Sequence, residues 1–145
     1  MFETMYNAQG VGLAAPQINM ALRLFIDEPM KGFKRIFINP RKIEEVGEEW
    51  VFEEGCLSIP DIRENVRRKS DITLRYLDEN FEEKTEFFTG LQARIIQHEY
   101  DHIEGVLFTD YISQLRKQMV KGRLNRISKG KIDATYPMKF YQRKG

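Results

Sequence analysis

Both histidines of this 145-residue chain fall in one stretch, Gln97-His98-Glu99-Tyr100-Asp101-His102. On an α-helix, residues i and i+4 lie one above the other on the same face, so His98 and His102 can grip a single cation. Glu99 points to a neighbouring angle, close enough to handle a proton on water held at that cation. This is the H-E-x-x-H arrangement of zinc hydrolases. Such a helix needs three things from the rest of the chain: a third ligand, an open coordination position and a substrate cleft.

A third histidine six residues after His102 would complete the metzincin pattern, but that position is Phe108. The acids beyond the motif, Glu104, Asp110 and Asp133, form no helical ligand motif. Upstream stands the single cysteine, Cys56, between Gly55 and Leu57 at the end of an extended run. A lone cysteine often serves as a small buried hydrophobe. With two imidazoles waiting and no other soft donor in the chain, Cys56 becomes the preferred third ligand. A structural zinc site takes four protein ligands, whereas three with one open position is the catalytic arrangement.

The elements that must position these residues read as α+β: short antiparallel strands around one central helix, followed by a C-terminal helix. Residues 1–9 predict a helix with Phe2, Met5 and Tyr6 on one face. Gly10-Val11-Gly12-Leu13-Ala14-Ala15-Pro16-Gln17 begins like a dinucleotide fingerprint. That motif needs a strand before it and a helix after it. Here a helix precedes and Pro16 follows, so the run reads as a tight strand that another group approaches closely. Gln17 closes it with an amide able to donate a hydrogen bond. Leu22–Ile26 and Arg35–Asn39 are β-type runs, Lys42–Phe52 alternates weakly, and Ile72–Tyr76 with Phe81–Phe88 form a hairpin about Asp78-Glu79-Asn80. Thr89 or Gly90 starts the histidine helix, Leu91, Ile95, Ile96 and Ile103 make its buried side, and Gly105 stops it. Gln114–Ser128 predicts a second helix with Leu115, Met119 and Ile127 on a face. An apolar cluster, Tyr136–Tyr141, follows.

Bulk properties limit the classes. The length fits one domain, and ten Phe, six Tyr and one Trp argue against global disorder. No apolar run is long enough to span a membrane, and no signal peptide is visible. One cysteine permits no internal disulfide, which suits a reducing cytoplasm. Charge is uneven: residues 111–145 hold ten Lys/Arg against Asp133, or +9, which leaves −8 on residues 1–110 of a chain at +1. That asymmetry suggests a basic surface for a polyanion, nucleic acid above all.

Three stretches together resemble peptide deformylases in order and approximate spacing: Gly10–Gln17, Glu54-Gly55-Cys56-Leu57-Ser58 and Gln97–His102. The resemblance continues through Ile59-Pro60, Arg63, the hairpin and Gly105-Val106-Leu107-Phe108 to Asp110. It implies a single deformylase-like domain over 1–145 that removes the formyl group from the N-terminal formyl-methionine of new polypeptides. It also implies a family segment of roughly three dozen residues before the first helix, of the kind that packs on a domain, which this sequence does not carry. The implied cofactor is one divalent metal, normally Fe²⁺, with Zn²⁺, Ni²⁺ or Co²⁺ able to replace it; the donor set alone does not choose.

The resemblance assigns roles residue by residue. Cys56, His98 and His102 match the metal ligands. Glu99 matches the general base. Gln17 and the backbone N–H of Leu57 match the donors to the developing oxyanion. Gly12 matches a backbone position that pairs with the substrate peptide, and Val11, Ile95 and Leu57 form the wall around the methionine side chain. Glu54 pairs with Arg63 or Arg68 near the cleft mouth, and Arg94 lines its rim. The implied partners are N-formyl-methionyl nascent chains and, through the basic C-terminal region, the ribosome; the implied state is a cytoplasmic monomer. Two other readings compete. One is an H-E-x-x-H endopeptidase, which the cysteine ligand opposes. The other is a non-catalytic RNA-associated protein, which the presence of Glu99 and Gln17 opposes.

Overall fold

The computed structural model describes residues 1–140. Tyr141, which ends the expected apolar cluster, and the basic residues Arg143 and Lys144 lie outside the described residues. Five strands form one antiparallel meander in chain order: β1 (Gly12–Ala14), β2 (Leu24–Asp27), β3 (Arg35–Cys56), β4 (Ile59–Leu77) and β5 (Glu83–Thr89). Three helices accompany them: α1 (Phe2–Asn7), α2 (Gly90–Ile103) and α3 (Gln114–Ser128). Among the described residues no helix is long and apolar enough to cross a membrane.

The α+β expectation holds, but two of the strands are not short. β3 and β4 run 22 and 19 residues and pair as one long hairpin. Register shifts between Ile38 and Arg41, between Lys42 and Glu44, and between Val46 and Glu49 break β3. Pro40, which cannot donate to a ladder, sits in the first of these. β4 alternates faithfully: Ile62, Glu64, Val66 and Arg68 are all buried, with exposed residues between. Two of those four are charged, so the period is invisible to a hydrophobicity count.

α2 lies on the sheet. Thr89 precedes its first residue in extended conformation, and Gly105, at φ +74°, ends it in the left-handed region that favours glycine. Beneath it, Phe25, Phe37, Ile72, Leu74, Tyr76 and Phe88 pack against Ala93 and Ile96. The Phe25 and Phe37 rings stack with centroids 4.5 Å apart. Leu91, expected on the buried side, is exposed; Arg94, Gln97, Glu99 and Asp101 are buried instead. α3 covers the far end of β4. It packs Val120, half-buried Leu124 and Ile127, at i, i+4 and i+7, against Ile59, Ile62 and Val66. Leu115 and Met119 face solvent, contrary to expectation, because the apolar surface of β4 lies opposite the other stripe.

Candidate metal centre

α2 delivers His98 and His102 one turn apart, with ring centroids 5.0 Å from each other. Cys56, the last residue of β3, lies across from them, its Sγ 3.3 Å from His102 Nε2. One ligand atom from each of Cys56, His98 and His102 falls within 4.8 Å of the others. Glu54 accepts from His98 Nδ1 at 3.0 Å, which leaves the opposite ring nitrogen for a cation. Two imidazoles and a thiol so arranged fit a divalent transition metal.

The carboxylate of Glu54 is the hub of a buried ionic cluster. Arg68 Nε donates to Glu54 Oε1 at 2.8 Å and Arg68 Nη2 to Oε2 at 3.0 Å, a bidentate pair. Arg68 Nη1 reaches Asp101 Oδ2 at 2.6 Å. Arg94 Nη1 adds a third donor to Glu54 at 2.9 Å and a contact to the Val66 carbonyl at 3.1 Å; its Nη2 donates to the Trp50 carbonyl at 2.8 Å. Burial works to raise the Glu54 pKa, but hydrogen bonds from His98 and Arg68 outweigh it and hold the carboxyl ionised. Burial depresses the His98 imidazole, but Cys56 and Glu54 as partners raise it further, so its pKa lies above the ordinary value. His102 is pushed down by burial and by the neighbouring positive charges, so it stands neutral and ready to ligate.

Glu99 is 5% exposed, and its Oε2 has no hydrogen-bond partner among the described residues. Its carboxylate lies against Gly12: a Cβ built there would come 2.5 Å from Glu99 Oε1, so only glycine fits. Burial pushes its pKa up to about 7. Gln17 sits on a short 3-10 turn, Ala15–Ile18, just after β1. Its Oε1 accepts from the Ala14 N–H at 2.8 Å, which aims Nε2 across the site, 3.6 Å from Cys56 Sγ and 3.1 Å from Ser58 Oγ. A cleft of about 990 Å³ opens onto these groups, lined by Val11, Gly12, Leu57, Leu91 and Ile95 among others.

The family model described as polypeptide deformylase matches residues 1–118. The chain belongs to that family. The peptide deformylase of Christiangramia forsetii is 53% identical, over 97% of this chain and 80% of that one. The peptide deformylase of Flavobacterium psychrophilum is also 53% identical, over 99% and 82%. Among solved structures, a peptide deformylase from Legionella pneumophila superposes with TM-score 0.81 at 39% identity, covering 90% of this chain and 78% of that one. The Plasmodium falciparum peptide deformylase in complex with an inhibitor gives 0.80 at 38% identity, over 88% and 79%. This chain is accordingly a metal-dependent hydrolase that removes the N-formyl group from nascent peptides.

Within this deformylase most of the expected residues converge: Val11, Gly12, Gln17, Cys56, Leu57, Arg63, Ile95, His98 and Glu99 all line one cleft. The pairing of Glu54 is decided between its two expected partners: Arg68 holds it, buried with it and with Arg94 beneath the cleft, whereas exposed Arg63 faces Glu53 at 3.7 Å. Arg94 does line the cleft, but from its buried base and not its rim: it is 2% exposed, with its guanidinium over Trp50 at 4.6 Å. Sequence reasoning missed the contact of Glu54 with His98. The available signal was a charged residue, Arg94, one turn before His98 on the helix face that must be buried.

Proposed function

We propose that this deformylase acts as one catalytic domain over 1–145, that Cys56, His98 and His102 hold its metal, and that Glu99, Gln17 and Leu57 carry the hydrolysis. The observation behind this reading is the meeting of three ligand atoms from β3 and α2 within 4.8 Å, beside Glu99 Oε2, which has no partner among the described residues. A divalent cation held there supplies Lewis acidity and lowers the pKa of water at its open position. Fe²⁺ is the first choice by family resemblance; the same donors suit Zn²⁺, Ni²⁺ or Co²⁺.

Glu99 takes a proton from the attacking water and returns it to the leaving amine. A base with a pKa near 7 does both at neutral pH. As the formyl carbon becomes tetrahedral, its oxygen gains charge. The Gln17 side-chain amide, which reaches across the site, and the Leu57 backbone N–H are the donors that meet that charge in this reading. β1 is the edge strand of the sheet, so the backbone around Gly12 is free to pair with an extended peptide. Val11, Leu57 and Ile95 give the methionine side chain an apolar wall, and Arg63 stands at the mouth. Replacing Glu99 with Ala should cut formate release from a formyl-methionyl peptide about 10²–10⁴-fold while metal content holds. A metal-loaded wild type that releases no formate, or a variant that keeps full activity, overturns the reading.

The basic surface of α3 suits ribosomal RNA, for a monomer working in the cytoplasm beside emerging chains. Of Arg116, Lys117, Lys121 and Arg123, the basic residues expected to make this contact, Arg116 is committed to Glu64, with contacts of 2.7 and 2.8 Å, so the other three carry the expectation. Lys117→Glu with Lys121→Glu should weaken ribosome co-sedimentation at low salt, and wild-type binding should fall steeply as salt rises. Unchanged sedimentation would sink the idea.

A further inference from the structure

The oxyanion donor assigned to Leu57 sits in an unusual turn. Cys56 pairs with Ile59, so Leu57-Ser58 forms a two-residue connection between β3 and β4. Such connections favour type I′ or II′ turns, which need a positive φ, yet neither Leu57 nor Ser58 takes one, and contacts from outside brace this turn. Ser58 Oγ accepts from Gln17 Nε2 at 3.1 Å. The Leu57 side chain lies over Gly10, where an added Cβ would come 2.6 Å from Leu57 Cδ1. The third contact comes from 79 residues away: the Tyr136 hydroxyl donates to the Leu57 carbonyl at 2.8 Å.

The segment that carries Tyr136 is built to stay in place. After α3 the chain turns at Gly130, φ +66°, where a Cβ would meet Phe140 at 2.9 Å. Residues 131–140 then run with alternate burial: 132, 134, 136, 138 and 140 face the domain and those between face solvent. Ile132 and Phe140 pack on the cluster of Ile59, Ile62 and Val66 at either end of this run. Between them, residues 133–136 line the cleft that Gly12 and Glu99 also line.

We propose that Tyr136 is a positioning residue: by fixing the Leu57 carbonyl it holds the turn so that the Leu57 N–H faces the reacting oxygen. The two peptide planes share the Leu57 Cα, so freeing the carbonyl lets the pair rock and swings the N–H off its line. This inference rests on the donor role given to Leu57 above.

The test is Tyr136→Phe in the metal-loaded enzyme, which removes one hydroxyl and keeps the ring. Losing one neutral hydrogen bond predicts a fall in kcat of about three- to tenfold, with KM within about twofold. Amide hydrogen exchange at Leu57 and Ser58 should quicken by a similar factor, and the melting temperature should hold. Unchanged exchange and unchanged kcat overturn the proposal. So does a kcat loss that only tracks a lowered melting temperature. Faster exchange with unchanged kcat would leave Tyr136 holding the turn and overturn the donor role of Leu57 instead.

Discussion

The β3–β4 hairpin meets helix α2 at two ends, and the two ends are built from different chemistry. At one, Ile72, Leu74 and Tyr76 pack on Ala93 and Ile96 with stacked phenylalanines behind them. At the other, the same strands bring Glu54 and Arg68 against Arg94, Asp101 and His98. The apolar end is stabilised by burying surface, about 1.5–3 kcal/mol for each large side chain. The ionic end does not stabilise in that way, because taking charges out of water offsets most of their mutual attraction. What the ionic end supplies is orientation: Glu54 cannot turn without breaking contacts to two arginines, so the His98 ring it holds cannot turn either.

The largest expected effects separate the two ends directly. Phe37→Ala should lower unfolding stability by about 3–5 kcal/mol and leave the metal affinity of the folded protein unchanged. Glu54→Gln should cost a comparable ~3–5 kcal/mol, since Arg68 and Arg94 lose their shared partner, and should also weaken metal binding about 10–100-fold. Chemical denaturation with metal titration checks both. Equal metal affinity in the two variants would break the distinction.

Asp27 sharpens it. This acid is fully buried on β2, opposite Gly12, and neither of its carboxylate oxygens has a partner among the described residues. Burial raises its pKa to about 7, with Arg35 pulling weakly the other way. An acid whose folded pKa lies above its unfolded one contributes stability at low pH and loses it as pH rises. Here the loss should fall between about pH 4 and about pH 7. Asp27→Asn should flatten that part of the stability curve, gaining on wild type by roughly 1–3 kcal/mol between pH 5 and pH 8. Parallel pH–stability curves for the two proteins would show that Asp27 is ionised and paired after all. The smallest effect belongs to Arg63, on the same strand as Arg68 but 66% exposed. Arg63→Ala should shift stability by less than about 0.5 kcal/mol, whereas Arg68→Ala should cost ~3–5 kcal/mol.

Local features were legible in the sequence. The i, i+4 spacing of His98 and His102 is a property of one helix, and so is the stop at Gly105. Cys56 emerged by elimination, because the chain holds no other soft donor. Gly12 announced a close approach, and Glu99 makes it. The hairpin at Asp78 and the bounds of α3 follow from turn residues and propensity. Only the tertiary structure decided which of those residues share a site and what holds them. Glu54 meets Arg68, Arg94 and His98 across 14, 40 and 44 residues of chain, and Tyr136 meets Leu57 across 79. A charged side chain on a strand reads as solvent-facing until its partner is seen, so Glu64 and Arg68 hid the inward face of β4. Which stripe of α3 is buried depends likewise on the surface it lands on. Sequence fixes what each residue can do; burial beside a particular partner decides whether it does so.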